Sequence, residues 1–214
     1  MSRIGRLHII TDTTLQSRFS HRELAQLALA GGAEVVQYRR KESSTRVLLE
    51  EAVALRALCR GRARLIINDR ADVALLADAD GVHLGDQDLP LPLARDLLGP
   101  LRILGGSADN AEEAMARAAE GADYCGIGPV FPTGSKKDTG PLLGLEGLAR
   151  AVQQARIPLI AIGGITLENL PEVLATGVHG VAILSAVCCA QDPAAATAEF
   201  RSRLDRRAAA AGGA

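Results

Sequence analysis

The chain has 214 residues, a formal net charge of −1 and an aromatic content of 2%. A charge near zero excludes a strongly basic surface for nucleic acid or an anionic membrane, and the few aromatic rings exclude a platform for stacked bases. No apolar run is long enough to span a bilayer, and the four cysteines lack metal-ligand spacing, which predicts a cytoplasmic protein with reduced thiols. The length fits one large domain.

Short apolar runs alternate with helical runs along the whole chain. The predicted strands are Leu7–Thr11, Val35–Arg39, Leu65–Asn68, Gly81–Leu84, Arg102–Leu104, Tyr124–Gly128, Leu159–Ile162 and Gly180–Leu184. The predicted helices lie near 21–31, 44–60, 71–78, 90–98, 110–120, 144–155, 167–176 and 193–207.

Continuous apolar strands are typical of a parallel sheet that is buried on both faces. Eight strand–helix pairs in about 200 residues are typical of a compact TIM barrel. An open doubly wound sheet is the competing fold, but the pattern has no clear switch point. We therefore predict a single-domain (β/α)8 TIM barrel over residues 1–207, followed by a disordered tail over 208–214.

Two aspartates follow neighbouring predicted strands. Asp69 comes directly after the third strand, and Asp88 ends the loop after the fourth. Adjacent parallel strands lie about 4.8 Å apart, so both carboxylates are expected at the same C-terminal edge. Such a pair suits Mg²⁺, which binds one or two carboxylates and leaves its other positions to water and phosphate oxygens. Both residues also stand where helix N-caps are common, and the residues alone leave that alternative open.

Other polar residues collect at the same predicted edge, where TIM barrels carry their active sites. Along the second strand, alternation places Gln37, Arg39 and Lys41 on one side. Gln37 is either a donor–acceptor pair for a heterocycle or a hydrogen-bonded core amide. Ser107 either donates to a phosphate oxygen or caps the next helix, and His83 inside the fourth strand is interpreted as a hydrogen-bonded core histidine.

The ends of the last two strands predict a phosphate site. The motifs AIGGIT (161–166) and ILSAV (183–187) occupy the position at which many barrels bind a phosphate through backbone N–H groups. Gly164, Ser185 and Ala186 are the candidates there. A tight turn at the two glycines is the alternative interpretation.

The segment 131–143 is longer than the 2–6 residues of a typical βα loop. It carries Thr133, Ser135 and Lys136 between glycines and prolines. Hydroxyl and ammonium groups on such a loop suit closure over a polyphosphate, although a solvated basic loop is the alternative.

Taken in order, these motifs resemble the thiamine-phosphate synthase family. The segments that carry the resemblance are VQYRRK (36–41), IND (67–69), ADGVHLGDQD (79–88), GGS (105–107), ADYCGIGPVFPTGSK (122–136), AIGGI (161–165) and SA (185–186). Each piece is weak by itself, but all of them in order, from the first strand to the last, are highly specific.

The resemblance implies a transferase. It would condense hydroxymethylpyrimidine diphosphate with a plain or carboxylated hydroxyethylthiazole phosphate to give thiamine phosphate and diphosphate. The reaction would be dissociative, carbocation-like and Mg²⁺-dependent. The partners would be these small molecules, with no nucleic acid and no membrane, and a homo-oligomer is left open.

The resemblance also implies a role for each matching residue. Asp69 and Asp88 would bind Mg²⁺, and Gln37 would contact the aminopyrimidine. The diphosphate would be held by Arg39, Lys41, Asn68, Ser107 and Lys136. Of these, Lys41, Ser107 and Lys136 are the candidate catalytic residues. The thiazole phosphate would be held by Thr133, Ser135, Gly164, Ser185 and Ala186.

Three positions depart from the family pattern: Asp109 stands where His is common, Ser135 where Thr is common, and Asp86-Gln87 where Gln-Glu is common. Asp109 adds negative charge near the expected diphosphate. The alternatives are a thiazole tautomerase on the same barrel, a sugar-phosphate epimerase, and a non-catalytic protein that binds thiamine precursors. The retained lysines and aspartates argue for the synthase.

Overall fold

In the computed structural model, which describes residues 4–135 and 140–212, eight parallel strands form a closed barrel. They pair in chain order, β1 to β8, and β8 closes the barrel against β1. The fold is therefore the predicted TIM barrel, with a helix after each strand. Among the described residues, no helix is both long and apolar enough to cross a membrane.

The strands lie close to their predicted positions. They are β1 (Leu7–Thr11), β2 (Val35–Tyr38), β3 (Arg64–Asn68), β4 (Gly81–Leu84), β5 (Ile103–Ala108), β6 (Tyr124–Ile127), β7 (Leu159–Ala161) and β8 (Gly180–Ile183). β5 continues through Gly105-Gly106-Ser107, which the sequence assigned to the following loop. The two glycines weaken the strand signal, but the pairing with β6 holds them in the sheet.

The helices also follow the prediction, with one addition. They are α1 (His21–Ala30), α2 (Thr45–Cys59), α3 (Ala71–Leu76), α4 (Leu91–Leu98), α5 (Ala111–Ala119), α6 (Gly144–Gln154), α7 (Leu170–Ala175), α8 (Ser185–Cys188) and α9 (Pro193–Gly212). The short helix α8 was not among the predicted helices. The last helix α9 continues to Gly212, beyond its predicted end at 207 and into the segment predicted to be a disordered tail.

Alternation along the strands divides the apolar residues into two sets. One set fills the barrel lumen and comprises Ile10, Val35, Ile66, Ile103, Tyr124, Ile160 and Ala182, together with Ile4. The other set points outwards and packs against the helices; on β3, for example, Leu65 and Ile67 are buried among helix residues. Because both faces of each strand are buried, the strands have the continuous apolar character that predicted a parallel sheet.

The N-terminal rim of the barrel is lined by acidic residues that precede three of the four even-numbered strands. Glu34, Asp80 and Asp123 stand directly before β2, β4 and β6. Each accepts a backbone N–H from the start of the previous strand, namely from Leu7 at 3.1 Å, Leu65 at 2.8 Å and Leu104 at 2.8 Å. Arginines pair with all three carboxylates. These contacts leave the opposite, C-terminal rim as the place for chemistry.

Candidate active site

Asp69 and Asp88 meet at the C-terminal rim. Asp69 follows β3 with a φ of 66°, a left-handed conformation that Asp tolerates better than most residues, and its N–H donates to the His83 carbonyl at 2.8 Å. Burial and, after it, the neighbouring carboxyl group of Asp88, to which it is hydrogen-bonded, together raise the pKa of Asp69 to about 6. The two carboxyl groups therefore face each other, as the sequence predicted.

Neither aspartate caps a helix. The N-cap of α3 is Arg70 and that of α4 is Pro90, and neither helix has a side-chain capping hydrogen bond. The Asp88 carboxylate instead accepts the Gly85 N–H at 2.7 Å, within its own loop. The capping alternative is therefore wrong for both residues.

Cationic groups from the segment after β2 adjoin the acid pair. Lys41 and Arg39 both act to lower the pKa of Asp69, against the larger effects of burial and of Asp88. Arg39 donates to the buried carboxylate of Asp12, whose other oxygen accepts the Thr14 N–H at 2.7 Å. Asp12 was noted only as a rim residue in the sequence, and the structure shows that it orients Arg39. Its position directly after β1 was the available signal.

The acid pair has the donor chemistry of a Mg²⁺ site that is completed by its substrate. Within residues 4–135 and 140–212, no cluster of three or more His, Cys, Asp or Glu side chains could enclose a metal. Mg²⁺ needs no such cluster, since one or two carboxylates with water and phosphate oxygens satisfy its coordination. Two half-buried carboxyl groups in mutual contact, with lysine and arginine beside them, fit this arrangement.

Gln37 and Ser107 lie inside the barrel, below the C-terminal rim that carries Asp69 and Asp88. Gln37 is 5% exposed on β2, and its amide is hydrogen-bonded to the Tyr124 hydroxyl. The Ser107 hydroxyl is 3.0 Å from His83 Nε2. Ser107 does not cap α5, whose N-cap is Asn110. The predicted pyrimidine and diphosphate ligands thus share one polar interior, and Asn68 lies at the end of β3 in register with His83.

The loops after β6 and β7 pack on each other. The N–H of Val130 donates to the Ile162 carbonyl and that of Phe131 to the Gly163 carbonyl, both at 3.0 Å. Gly164 has a φ of 62°, and a Cβ there would lie 2.6 Å from the Pro132 carbonyl oxygen. Only glycine allows this approach. The two glycines therefore form a tight turn, and they also allow the loops after β6 and β7, which carry predicted phosphate ligands, to pack together.

The remaining predicted phosphate ligands lie on these loops or beside them. The Thr133 hydroxyl accepts the Ser135 N–H at 3.2 Å. Ser185 and Ala186 begin α8 immediately after β8, the neighbour of β7 in the barrel. Lys136 lies outside the described residues.

Asp109, one of the departures from the family pattern, faces the far end of the β6 loop. A Cβ at Gly140 would lie 1.8 Å from the Asp109 Oδ2. The Asp109 backbone N–H donates to Glu113 at 2.8 Å. The carboxylate at position 109 therefore lies against Gly140, near the end of the loop that carries the predicted phosphate ligands.

Sequence reasoning missed the contribution of Tyr124 and treated His83 only as a core residue. His83 is hydrogen-bonded at both ring nitrogens, as expected for a core histidine, but its partners are Tyr124 and the candidate catalytic residue Ser107. The signal was available in the register, because His83 on β4 and Tyr124 on β6 both align with Gly105 on β5.

Comparison with known proteins agrees with this geometry. The family model described as thiamine monophosphate synthase matches residues 7–187. A thiamine-phosphate synthase of Salinibacter ruber is 48% identical over 203 residues, which cover 94% of this chain and 89% of the relative. One of Chloroflexus aurantiacus is 48% identical over 198 residues, covering 92% and 91%.

A solved structure shares both fold and sequence. The thiamine phosphate pyrophosphorylase of Pyrococcus furiosus superposes with a TM-score of 0.86 at 42% identity, covering 94% of this chain and 96% of that one. The matched family model spans the rim residues of every strand from β1 to the start of α8. On the strength of the barrel, its rim and these relatives, the chain belongs to the thiamine monophosphate synthase family.

Proposed function

We propose that this protein condenses hydroxymethylpyrimidine diphosphate with hydroxyethylthiazole phosphate to form thiamine phosphate and diphosphate. In this reaction the bond from the pyrimidine methylene to the diphosphate oxygen breaks, and a bond from the methylene to the thiazole nitrogen forms. The observation that carries the proposal is the pair of facing carboxylates, Asp69 and Asp88, with Lys41 and Arg39 beside them. Such a mixture of acids and bases suits a diphosphate bound together with a divalent cation.

Asp69 and Asp88 would hold Mg²⁺. When bound, the ion neutralises negative charge on the leaving diphosphate. The pKa of Asp69 is raised first by burial and then by Asp88, and both effects support this role. A half-buried carboxylate gains from a cation, and a divalent cation removes the repulsion between two ionised carboxylates in contact.

Protein cations and donors would hold the rest of the diphosphate. Arg39 is fixed by its ion pair with buried Asp12, so its guanidinium is oriented before substrate arrives. Lys41 is exposed and close enough to influence Asp69, and Lys136 is assigned to the same group by the family motif. Asn68 and Ser107 would donate neutral hydrogen bonds. Together these groups stabilise the negative charge that develops on the departing oxygen.

The organic groups would be positioned from opposite sides. Gln37, buried on β2, offers one amide to the aminopyrimidine ring. The phosphate of the thiazole would lie among Thr133, Ser135, Gly164, Ser185 and Ala186, on the loops after β6, β7 and β8. The electron-rich pyrimidine stabilises the carbocation-like methylene, and the thiazole nitrogen held near it attacks. The catalysis is then positioning and electrostatics, and it requires no protein nucleophile.

The test is thiamine phosphate formation by the purified protein from both substrates with Mg²⁺, with EDTA as the control. We expect Mg²⁺-dependent product with one diphosphate released per turnover. Asp69→Asn should abolish most of this activity, whereas Asp72→Asn, an exposed aspartate on the same segment that pairs with Arg70, should not.

A folded protein that forms no product would overturn the proposal. Isomerisation of a carboxylated thiazole phosphate would then identify a tautomerase. Binding of either substrate without any turnover would identify a protein that only binds thiamine precursors. The cytoplasmic location and the homo-oligomeric state stay predictions.

A further inference from the structure

A chain of polar side chains crosses the barrel lumen below the rim. The Tyr124 hydroxyl is 3.0 Å from His83 Nδ1, and His83 Nε2 is 3.0 Å from the Ser107 hydroxyl. The Gln37 amide is hydrogen-bonded to the same tyrosine hydroxyl. Gln37 and Ser107, which the proposed function places on the pyrimidine and the diphosphate, are therefore joined through two residues that have no proposed contact with either substrate.

The backbone is built to allow this chain. His83 on β4 aligns with Gly105 on β5, and Gly105 aligns with Tyr124 on β6. A Cβ at Gly105 would lie 2.3 Å from Tyr124 Cζ, so the missing side chain on the middle strand is what lets the two rings meet across it. Gly126, which pairs with Ser107, leaves space for the His83 ring in the same way. A Cβ at this position would lie 3.1 Å from His83 Cε1.

Two directions fit these distances, because either nitrogen of a neutral His83 ring can carry the proton. In one of them the Gln37 amide donates an N–H to the Tyr124 phenol oxygen. The phenol proton then goes to His83 Nδ1. A neutral imidazole that accepts at Nδ1 carries its proton on Nε2, which donates to the Ser107 oxygen.

We propose that Tyr124 and His83 are positioning residues that fix this direction and thereby present the Ser107 proton and the Gln37 carbonyl oxygen to the substrates. With its oxygen accepting from His83, Ser107 has its own proton left to donate to a diphosphate oxygen. With its N–H engaged by Tyr124, Gln37 has its carbonyl oxygen left to accept from the amino group of the pyrimidine. The identity of these substrate groups rests on the proposed function.

The first arm of the test is independent of activity. In ¹⁵N spectra of the histidine side chains, the signals of His83 are assigned by their loss in His83→Gln. We expect a neutral imidazole protonated at Nε2, with the Nδ1 signal shifted in Tyr124→Phe. A proton on Nδ1 in the wild type would reverse the chain and overturn the proposal.

The second arm is kinetic and uses the chain's two tyrosines as a matched pair. Both are 1% exposed, but the Tyr38 hydroxyl donates to Glu51 on α2, outside the barrel. Tyr124→Phe should lower kcat/KM for the pyrimidine diphosphate about tenfold, the usual effect of one lost hydrogen bond in a buried site. The KM for the thiazole phosphate should not change. Tyr38→Phe should change kcat/KM less than about twofold.

The third arm separates positioning from packing. If Tyr124 acts partly through Ser107, its loss should matter less once that hydroxyl is gone. In a Ser107→Ala background we expect the effect of Tyr124→Phe to fall from about tenfold to about threefold. Equal effects in both backgrounds would overturn the link to Ser107.

Failure of the proposed function would look different. A wild-type protein that forms no thiamine phosphate refutes the activity, and the first arm still decides the direction of the chain. Calorimetric titration with the pyrimidine diphosphate then takes the place of kcat/KM: a Tyr124→Phe protein that binds as tightly as Tyr38→Phe would refute the positioning role.

Discussion

Aspartate has a structural role at one rim of the barrel and a proposed functional role at the other. At the N-terminal rim, Asp80 accepts the Leu65 N–H at 2.8 Å and pairs with Arg56 at 3.0 Å. At the C-terminal rim, Asp69 faces a second carboxyl group, Asp88, and its pKa is raised to about 6 by burial and by that neighbour. A carboxylate whose partners satisfy it stabilises the fold, whereas one held against a like charge destabilises the fold until a cation or a proton neutralises it.

Asp80 and Asp69 belong to the same β3–α3–β4 unit. The difference in their surroundings therefore depends on the end of the strand at which each lies. Asp80 directly precedes β4, where the backbone N–H groups of the strands need acceptors. Asp69 directly follows β3, at the rim where the polar loops converge. Substitutions on each rim should therefore separate stability from activity.

The largest effect is expected at the functional rim. Asp69→Asn keeps a residue that tolerates the φ of 66° but removes the charge. We expect kcat/KM to fall about a thousandfold, or about 4 kcal/mol in activation free energy, with Tm unchanged or raised. Steady-state kinetics and thermal unfolding on the same sample measure both. A Tm lowered in proportion to the activity would contradict the separation of the rims.

The complementary substitution is Asp80→Ala at the N-terminal rim, which tests stability instead of activity. The carboxylate is 9% exposed, and its loss leaves two arginines and the Leu65 N–H without their acceptor. We expect the free energy of unfolding to fall by about 3 kcal/mol, with kcat/KM of the folded fraction within about twofold of wild type. Urea unfolding gives the first quantity. Asp205→Ala, on an exposed ion pair, is the control and should cost less than about 1 kcal/mol.

A pH effect should arise from the lower lumen. Burial lowers the pKa of His8 to about 3, because the residue is only 1% exposed, and this effect outweighs the hydrogen bond to the Gly5 carbonyl, which acts to raise the pKa. Between pH 3 and the ordinary pKa of about 6.5, the unfolded chain therefore binds a proton that the folded chain excludes, so stability falls with falling pH. From pH 6.5 to 5 we expect a loss of about 2 kcal/mol in urea unfolding.

The control for this pH effect is His8→Gln, measured at the same two pH values. Its loss of stability should be smaller than that of the wild type by the contribution of one histidine. Equal losses in the two proteins would mean that another group carries the effect.

The smallest effect is expected at Ser20, a polar residue near the functional rim that caps a helix and is not assigned to a ligand. Ser20 lies between β1 and α1, yet its hydroxyl forms a capping box with Glu23. Ser20→Ala should cost about 1 kcal/mol of stability and leave kcat/KM unchanged. A drop in activity without a drop in Tm would show that the polar residues of this rim cannot be divided into caps and ligands by their hydrogen bonds.

Much of the fold was determined by the sequence. Continuous apolar runs such as Leu7–Thr11 and Gly81–Leu84 coincide with strands, because burial on both faces demands them. The proximity of Asp69 and Asp88 followed from the βαβ unit alone, since neighbouring parallel strands end at one edge. The acidic residues before β2, β4 and β6 were equally visible, but nothing local identifies their backbone partners, which belong to the preceding strand.

Only the tertiary structure decided which side chains meet inside the barrel. The distances from His83 to Tyr124 and to Ser107 depend on the register of three strands and on the space left by Gly105, neither of which has a local signature. The role of Asp12 likewise became visible only from its contact with Arg39, which follows the neighbouring strand. A sequence determines periodicity and the edge at which residues lie, because these are local, whereas partners across a closed barrel are chosen by register and by the volume that remains.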